Sequence, residues 1–168
     1  MLIRRVVTGT LADGTAAFVH DGPPPHVVGS TASAGVETAL LWASDGPMAL
    51  PTDGSETTRL DRPFFPDAGG TRFLVMHYQS GFGMDEPESA TATAGRAGPP
   101  SARLYLHETA TVDYAIVISG EICAVLASGE ERALTTGDVL IQNGVSHAWR
   151  NRSAEVAVVA FVIVGARR

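Results

Sequence analysis

Two stretches carry the residue types that do chemistry. In HETATVDYAIVISGE, residues 107–121, a histidine is followed six positions later by an aspartate inside an otherwise apolar run; in SHAWRN, residues 146–151, a second histidine stands two positions before a tryptophan and four before an asparagine. Residues two apart on an extended strand point the same way. His107, Thr109, Thr111 and Asp113 are therefore expected to line one surface, continued by Ala115 and Val117, while His147, Trp149 and Asn151 line another. If the two segments meet in a closed β-sandwich, two imidazoles, a carboxylate and several hydroxyls face a common interior. Burying such groups costs several kcal/mol unless they are paired, hydrogen-bonded or bound to a metal. Two histidines and a carboxylate are also the ligand set of many mononuclear iron sites with open positions.

The elements that must position these residues read as strands. Short runs rich in valine, isoleucine and aromatics recur between clusters of Gly, Pro, Asp and Ser, the pattern of an all-β domain. Strands are expected near 3–7, 16–20, 37–42, 72–78, 102–107, 112–119, 122–127, 132–135, 138–142, 146–150 and 154–164, with room for a helical turn in TASAGVETALLWA. DGPPPH at 21–26 and the stretch at 51–70 read as connections, and 81–100 as a long small-residue loop, either mobile or a lid over a site. SGE at 119–121 and SGEE at 128–131 read as hairpin turns of a C-terminal meander.

The bulk numbers bound the function. With 168 residues, 45% of them hydrophobic, one domain with its own core is expected over 1–168: N-terminal strands and arm at 1–70, barrel core at 71–168. The net charge is −6 and the arginines are scattered apart from the pairs Arg4-Arg5 and Arg167-Arg168, so no basic face is available for nucleic acid. All 12 basic residues are arginine, which excludes Schiff-base lysines and a phosphate-binding Gly-Lys-Ser/Thr loop. Cys123 is the single cysteine, so an intrachain disulfide and multi-cysteine metal sites are excluded. MLIRRVVTGT has no long apolar stretch and no segment reaches membrane-spanning length, so a soluble, cytoplasmic protein without a membrane partner is expected.

The residues at 107–120 and 137–151 resemble the two motifs of the cupin superfamily. In the first motif His-x-His is followed by glutamate and then glycine; in the second, GDVLIQNGVSHAWRN here, a glycine precedes a histidine and an asparagine. The resemblance covers roughly 102–164 and implies a double-stranded β-helix, the cupin or jelly-roll barrel, with extra N-terminal strands. By that resemblance His107 falls on the first metal-binding histidine, His147 on the last, and Asp113 in place of the glutamate. Thr109 stands where the second histidine would be, which reduces four ligands to three. The second motif is one residue short and lacks its usual proline.

The leading expectation is a small enzyme in which His107, Asp113 and His147 hold a divalent metal, Fe, Mn, Ni or Zn, and act on a small organic acid or carbonyl compound. Dioxygenation, decarboxylation and isomerisation all stay open. The alternatives are a metal-free acid–base decarboxylase or dehydratase using the same three residues, and a non-catalytic small-molecule binder. Four further residues are candidates for substrate contact: Thr109; Gln142, which can offer its amide to a ligand or cap the turn; Trp149, a pocket wall or core residue; and His77, which a neighbouring strand could supply in place of the missing imidazole. A homodimer is expected, formed through an outer sheet face or exchanged N-terminal strands.

Overall fold

A computed structural model describes residues 3–30, 35–84 and 104–167. Among them the regular elements are all strands: β1 (Arg5–Thr10), β2 (Ala16–Gly22), β3 (His26–Ser30), β4 (Val36–Ser44), β5 (Thr71–Tyr78), β6 (Thr111–Ser119), β7 (Glu121–Leu126), β8 (Glu131–Thr135), β9 (Val139–Asn143), β10 (His147–Arg150) and β11 (Ala157–Gly165). A six-stranded antiparallel sheet in the order β3-β4-β5-β11-β6-β9 faces a three-stranded sheet, β10-β7-β8, and the hairpin β1-β2 forms a third. This is the expected all-β double-stranded β-helix.

Alternation builds the barrel. Along β6, Thr111, Asp113, Ala115 and Val117 are buried, and along β11 Ala157, Val159, Phe161, Ile163 and Gly165 are buried. Both sheets contribute to one core: Leu74, Tyr78, Val117 and Phe161 from the large sheet meet Ile122, Ala124 and Trp149 from the small one. Each fully buried side chain of this size contributes roughly 1.5–3 kcal/mol, so the facing of the two sheets is dictated by the inward rows.

Three expectations need correction. TASAGVETALLWA holds no helical turn from Val36 onward, because β4 pairs along its length with β5, placing Val36 in the barrel core and Ala39 in a cluster on the opposite face; 31–34 lie outside the described residues. The strand at 102–107 reduces to one bridge, His107 opposite His147, and 102–103 lie outside the described residues. The C-terminal part is not a continuous meander. SGEE does close a β7-β8 hairpin, but β6 and β7 lie in different sheets, so the chain at Gly120 crosses between them. Gly120 has φ 78°, and a Cβ there would stand 2.5 Å from the Val156 carbonyl oxygen, so glycine fits where a side chain would clash. Of the long loop expected at 81–100, residues 81–84 form a turn that buries Phe82, and 85–100 lie outside the described residues.

The connection at 61–70 is pinned across one end of the barrel. Buried Arg72 donates to the carbonyls of Ser44 and Pro63 and to Asp45 Oδ1 at 2.6, 3.2 and 2.8 Å. The end of β11 passes so close to this loop that a Cβ at Gly165 would overlap the Asp67 carbonyl oxygen, 1.8 Å away. These contacts set Phe64 and Phe65 edge to face, 5.1 Å apart, and turn Phe65 toward His107.

Candidate functional site

The site grows from the pairing of His107 with His147. Their backbones exchange two hydrogen bonds of 2.9 Å, which sets the two side chains next to each other with ring centroids 4.3 Å apart. His107 Nδ1 donates to the Tyr105 carbonyl at 3.2 Å and His147 Nδ1 to the Val145 carbonyl at 2.9 Å. A carbonyl only accepts, so each Nδ1 carries the proton and each neutral ring keeps its lone pair on Nε2. Tyr105 stacks on His107 at 5.3 Å, Phe65 lies 5.8 Å from the same ring, and Trp149 stands edge-on to His147 at 6.4 Å.

Burial sets the charge states. His107 is pushed down to about 4, first by desolvation and then by the neighbouring His147. His147 is also lowered by burial, partly offset by its bond to the Val145 carbonyl. Both imidazoles are therefore neutral at pH 7. Asp113 is raised by burial, with the Thr111 hydroxyl and His107 pulling it back. Its Oδ1 is buried without a hydrogen-bond partner, an arrangement a carboxyl group tolerates better than a carboxylate.

The remaining candidates separate. Asp113 stands opposite Gln142 in the β6-β9 register, and buried Gln142 donates to the Val145 carbonyl at 3.1 Å, so its amide fastens the turn that carries His147. Thr109 is buried, with its hydroxyl 2.7 Å from that of Thr111. Trp149 packs edge-on to Phe161 at 5.4 Å and is core as well as backing to His147. His77 does not join the site. It is paired with Glu37 and Val158, on the face that carries Val75, whereas Leu74 and Tyr78 on the alternate positions enter the core. Sequence reasoning missed Phe65 and Tyr105. The FFP run in a stretch read as a connection was the available signal for the first, and the 102–107 strand assignment hid the second.

No protein-family model matches the chain. Phomopsin biosynthesis cluster protein C′ of Diaporthe leptostromiformis is 50% identical over 54 residues, 32% of this chain and 29% of that protein. The cupin-domain-containing oxidoreductase srdD of Neurospora crassa is 25% identical over 151 residues, 89% of this chain and 66% of that protein. The Cnp3 cupin domain of Schizosaccharomyces pombe superposes with a TM-score of 0.52 at 8% identity, covering 98% of this chain and 89% of that one. The chain has the cupin fold. It spans less than two thirds of the length of these two sequence relatives.

Cupins are expected to hold a metal at the positions that fall here on His107, Thr109, Asp113 and His147. The two histidines present the free Nε2 lone pairs a metal ion needs. The rest of the set does not fit. Thr109 engages Thr111, and among the described residues no three His, Cys, Asp or Glu side chains gather closely enough to hold an ion. The expected trio is, in the described structure, an imidazole pair with a buried carboxyl that feels His107 electrostatically without completing a ligand cluster.

Proposed function

We propose that the His107–His147 pair is the reactive centre of a cupin enzyme that moves a proton on a small carbonyl compound or organic acid. The observation that supports it is the pair of Nδ1–H bonds to backbone carbonyls, which leaves the half-buried His107 and buried His147 as neutral imidazoles with their Nε2 lone pairs unprotonated, among the rings of Phe65, Tyr105 and Trp149. A neutral imidazole accepts a proton from a carbon or hydroxyl beside a carbonyl group. A carboxyl group at Asp113 whose affinity for its proton is raised donates one. The description of srdD as an oxidoreductase supports a redox reaction, whose electron acceptor would come from outside the described site.

The test is deuterium exchange at α-carbons in D2O, followed by proton NMR over a panel of small aldehydes, ketones and carboxylic acids. Wild-type protein should catalyse exchange on at least one member, and His147→Ala and His107→Ala should lose it by at least 100-fold while their circular dichroism stays unchanged. Metal content after dialysis against iron, manganese, nickel and zinc should stay well below one ion per chain. Stoichiometric metal lost in His107→Ala, Asp113→Asn and His147→Ala would replace this reading with the three-ligand metal enzyme. Saturable binding without exchange would make the pocket a non-catalytic binding site.

A further inference from the structure

The carbonyl oxygen of Val145 accepts from two side chains at once. His147 Nδ1 reaches it at 2.9 Å and Gln142 Nε2 at 3.1 Å. A carbonyl oxygen has two lone pairs, so both are engaged. Val145 lies in the three-residue connection that leaves the large sheet at the end of β9 and enters the small sheet at β10. The turn reaches the surface, with Val145 exposed, and its backbone packs closely on the chain leading into β6: Gly144 has φ 63°, and a Cβ there would stand 3.1 Å from the Thr109 carbonyl oxygen. Gln142, in contrast, is buried on the inward side of β9, where Leu140 two positions earlier packs on the core. His107 is held differently. Its Nδ1 donates at 3.2 Å to the carbonyl of Tyr105, in a segment outside the strands.

We propose that Gln142 is a positioning residue for His147: by taking the second lone pair of the Val145 carbonyl, it fixes the acceptor that keeps the imidazole proton on Nδ1 and leaves Nε2 bare. An imidazole turns easily about its Cβ–Cγ bond, where the torsional wells are broad, so its direction and its tautomer are set by the bond that Nδ1 makes. A carbonyl on a surface turn with a single side-chain donor can swing outward and accept from water instead. The second donor, rooted in a buried side chain of the large sheet, removes that freedom. Without the Nδ1 bond the proton settles on Nε2, the tautomer an unrestrained imidazole favours in water, and a ring in that form accepts nothing at Nε2. The two histidines therefore divide. His147 hangs from an anchored acceptor and His107 from one outside the strands, which makes His147 the base whose direction is fixed in advance. That assignment of the base rests on the proton-transfer reading above, whereas the control of the tautomer does not.

The test is the tautomer of each histidine, read at pH 7 from long-range proton–nitrogen correlation spectra of the full chain labelled with nitrogen-15 at histidine, the signals being assigned by their loss in His107→Ala and His147→Ala. Wild-type His147 should show a protonated Nδ1 and a bare Nε2. Gln142→Met keeps the length of the side chain and removes the donor; it should move both His147 nitrogen signals toward the Nε2–H tautomer and leave those of His107 in place. If that variant fails to fold, Gln142→Leu takes its place with the same expectation. Asn143→Ala, next along β9 and exposed, should change neither ring. In the deuterium-exchange assay Gln142→Met should lower kcat by about 3–10-fold, the worth of one hydrogen bond, with KM unchanged. Unmoved His147 signals overturn the proposal, and so does an equal movement of His107 or a tautomer shift in Asn143→Ala, which would mark a general loosening of the turn. A wild type that exchanges no α-carbon removes the proton-transfer reading, and the His147 signals still decide what Gln142 does.

Discussion

Asn151 follows directly on β10 and is fully buried, with all its side-chain polar atoms engaged. Its Nδ2 donates to the carbonyls of Tyr78 at 3.0 Å and Glu155 at 2.8 Å, and its Oδ1 accepts from the Ser153 amide at 2.9 Å and the Ser153 hydroxyl at 2.8 Å. One amide thus ties the end of the small sheet to β5 and to the turn that enters β11. Asn151→Asp keeps size and shape but sets a carboxylate oxygen against two carbonyl oxygens in a buried place. Two donated bonds are lost and a buried charge is left facing like partial charges, a cost of about 3–4 kcal/mol. For a chain of this length each kcal/mol moves the midpoint by roughly 2–4 °C, so melting should fall by about 6–16 °C. Calorimetry at pH 7 and fixed protein concentration reads this directly. A drop under about 3 °C would show that shape, and not the donor–acceptor match, is what this position supplies.

Acid should weaken the fold through His107. Its folded pKa, about 4, lies below the 6.5 of an unfolded histidine, so protons favour the unfolded chain and stability falls as pH drops from 6.5 towards 4. The loss is about 2–3 kcal/mol after allowance for partial exposure of the ring, and urea unfolding of His107→Asn should show a flatter profile. Glu56 adds a second acid step. Burial pushes it up, but Arg5 and Thr58 outweigh that and bring it down to about 2, so its contribution is present above pH 4.5 and fades toward 2. Its side chain is 36% exposed, so Glu56→Gln should cost no more than about 1 kcal/mol at pH 7. Phe65→Ala should let water reach His107, and NMR titration should find its pKa moved up toward 6.5. Gly120→Ala should destabilise by about 2–4 kcal/mol, because positive φ and the Val156 carbonyl both oppose a side chain.

The part of the fold that is legible in the sequence is the part controlled by alternation. Thr111, Asp113, Ala115 and Val117 all face inward, as the two-residue period requires, and His147 and Trp149 follow them from the opposite sheet. Alternation says nothing about which strands pair. The turn at 119–121 has hairpin chemistry but serves as a crossover, because β6 finds its partners in β9 and β11. Period alone also cannot tell the two faces of a strand apart when both are apolar, which is why His77 could be counted with the site although Glu37 and Val158 are its neighbours. Phe65 was illegible for a different reason. Its position depends on Arg72 and Gly165, far away in sequence, fastening an irregular loop over the barrel end.

The backbone clasp between His107 and His147 has a kinetic consequence. Segment 104–106 has no ladder of its own, so a motion that lifts it from the small sheet must break both of the 2.9 Å bonds of that clasp together. The two amides should therefore exchange with solvent at one common rate, set by a local opening event rather than by global unfolding. The same opening parts the two imidazoles, so a ligand large enough to need it would enter through a state in which the reactive pair is disassembled. Chemistry can begin only after reclosure, and the clasp makes reclosure a timing step for anything that enters this way.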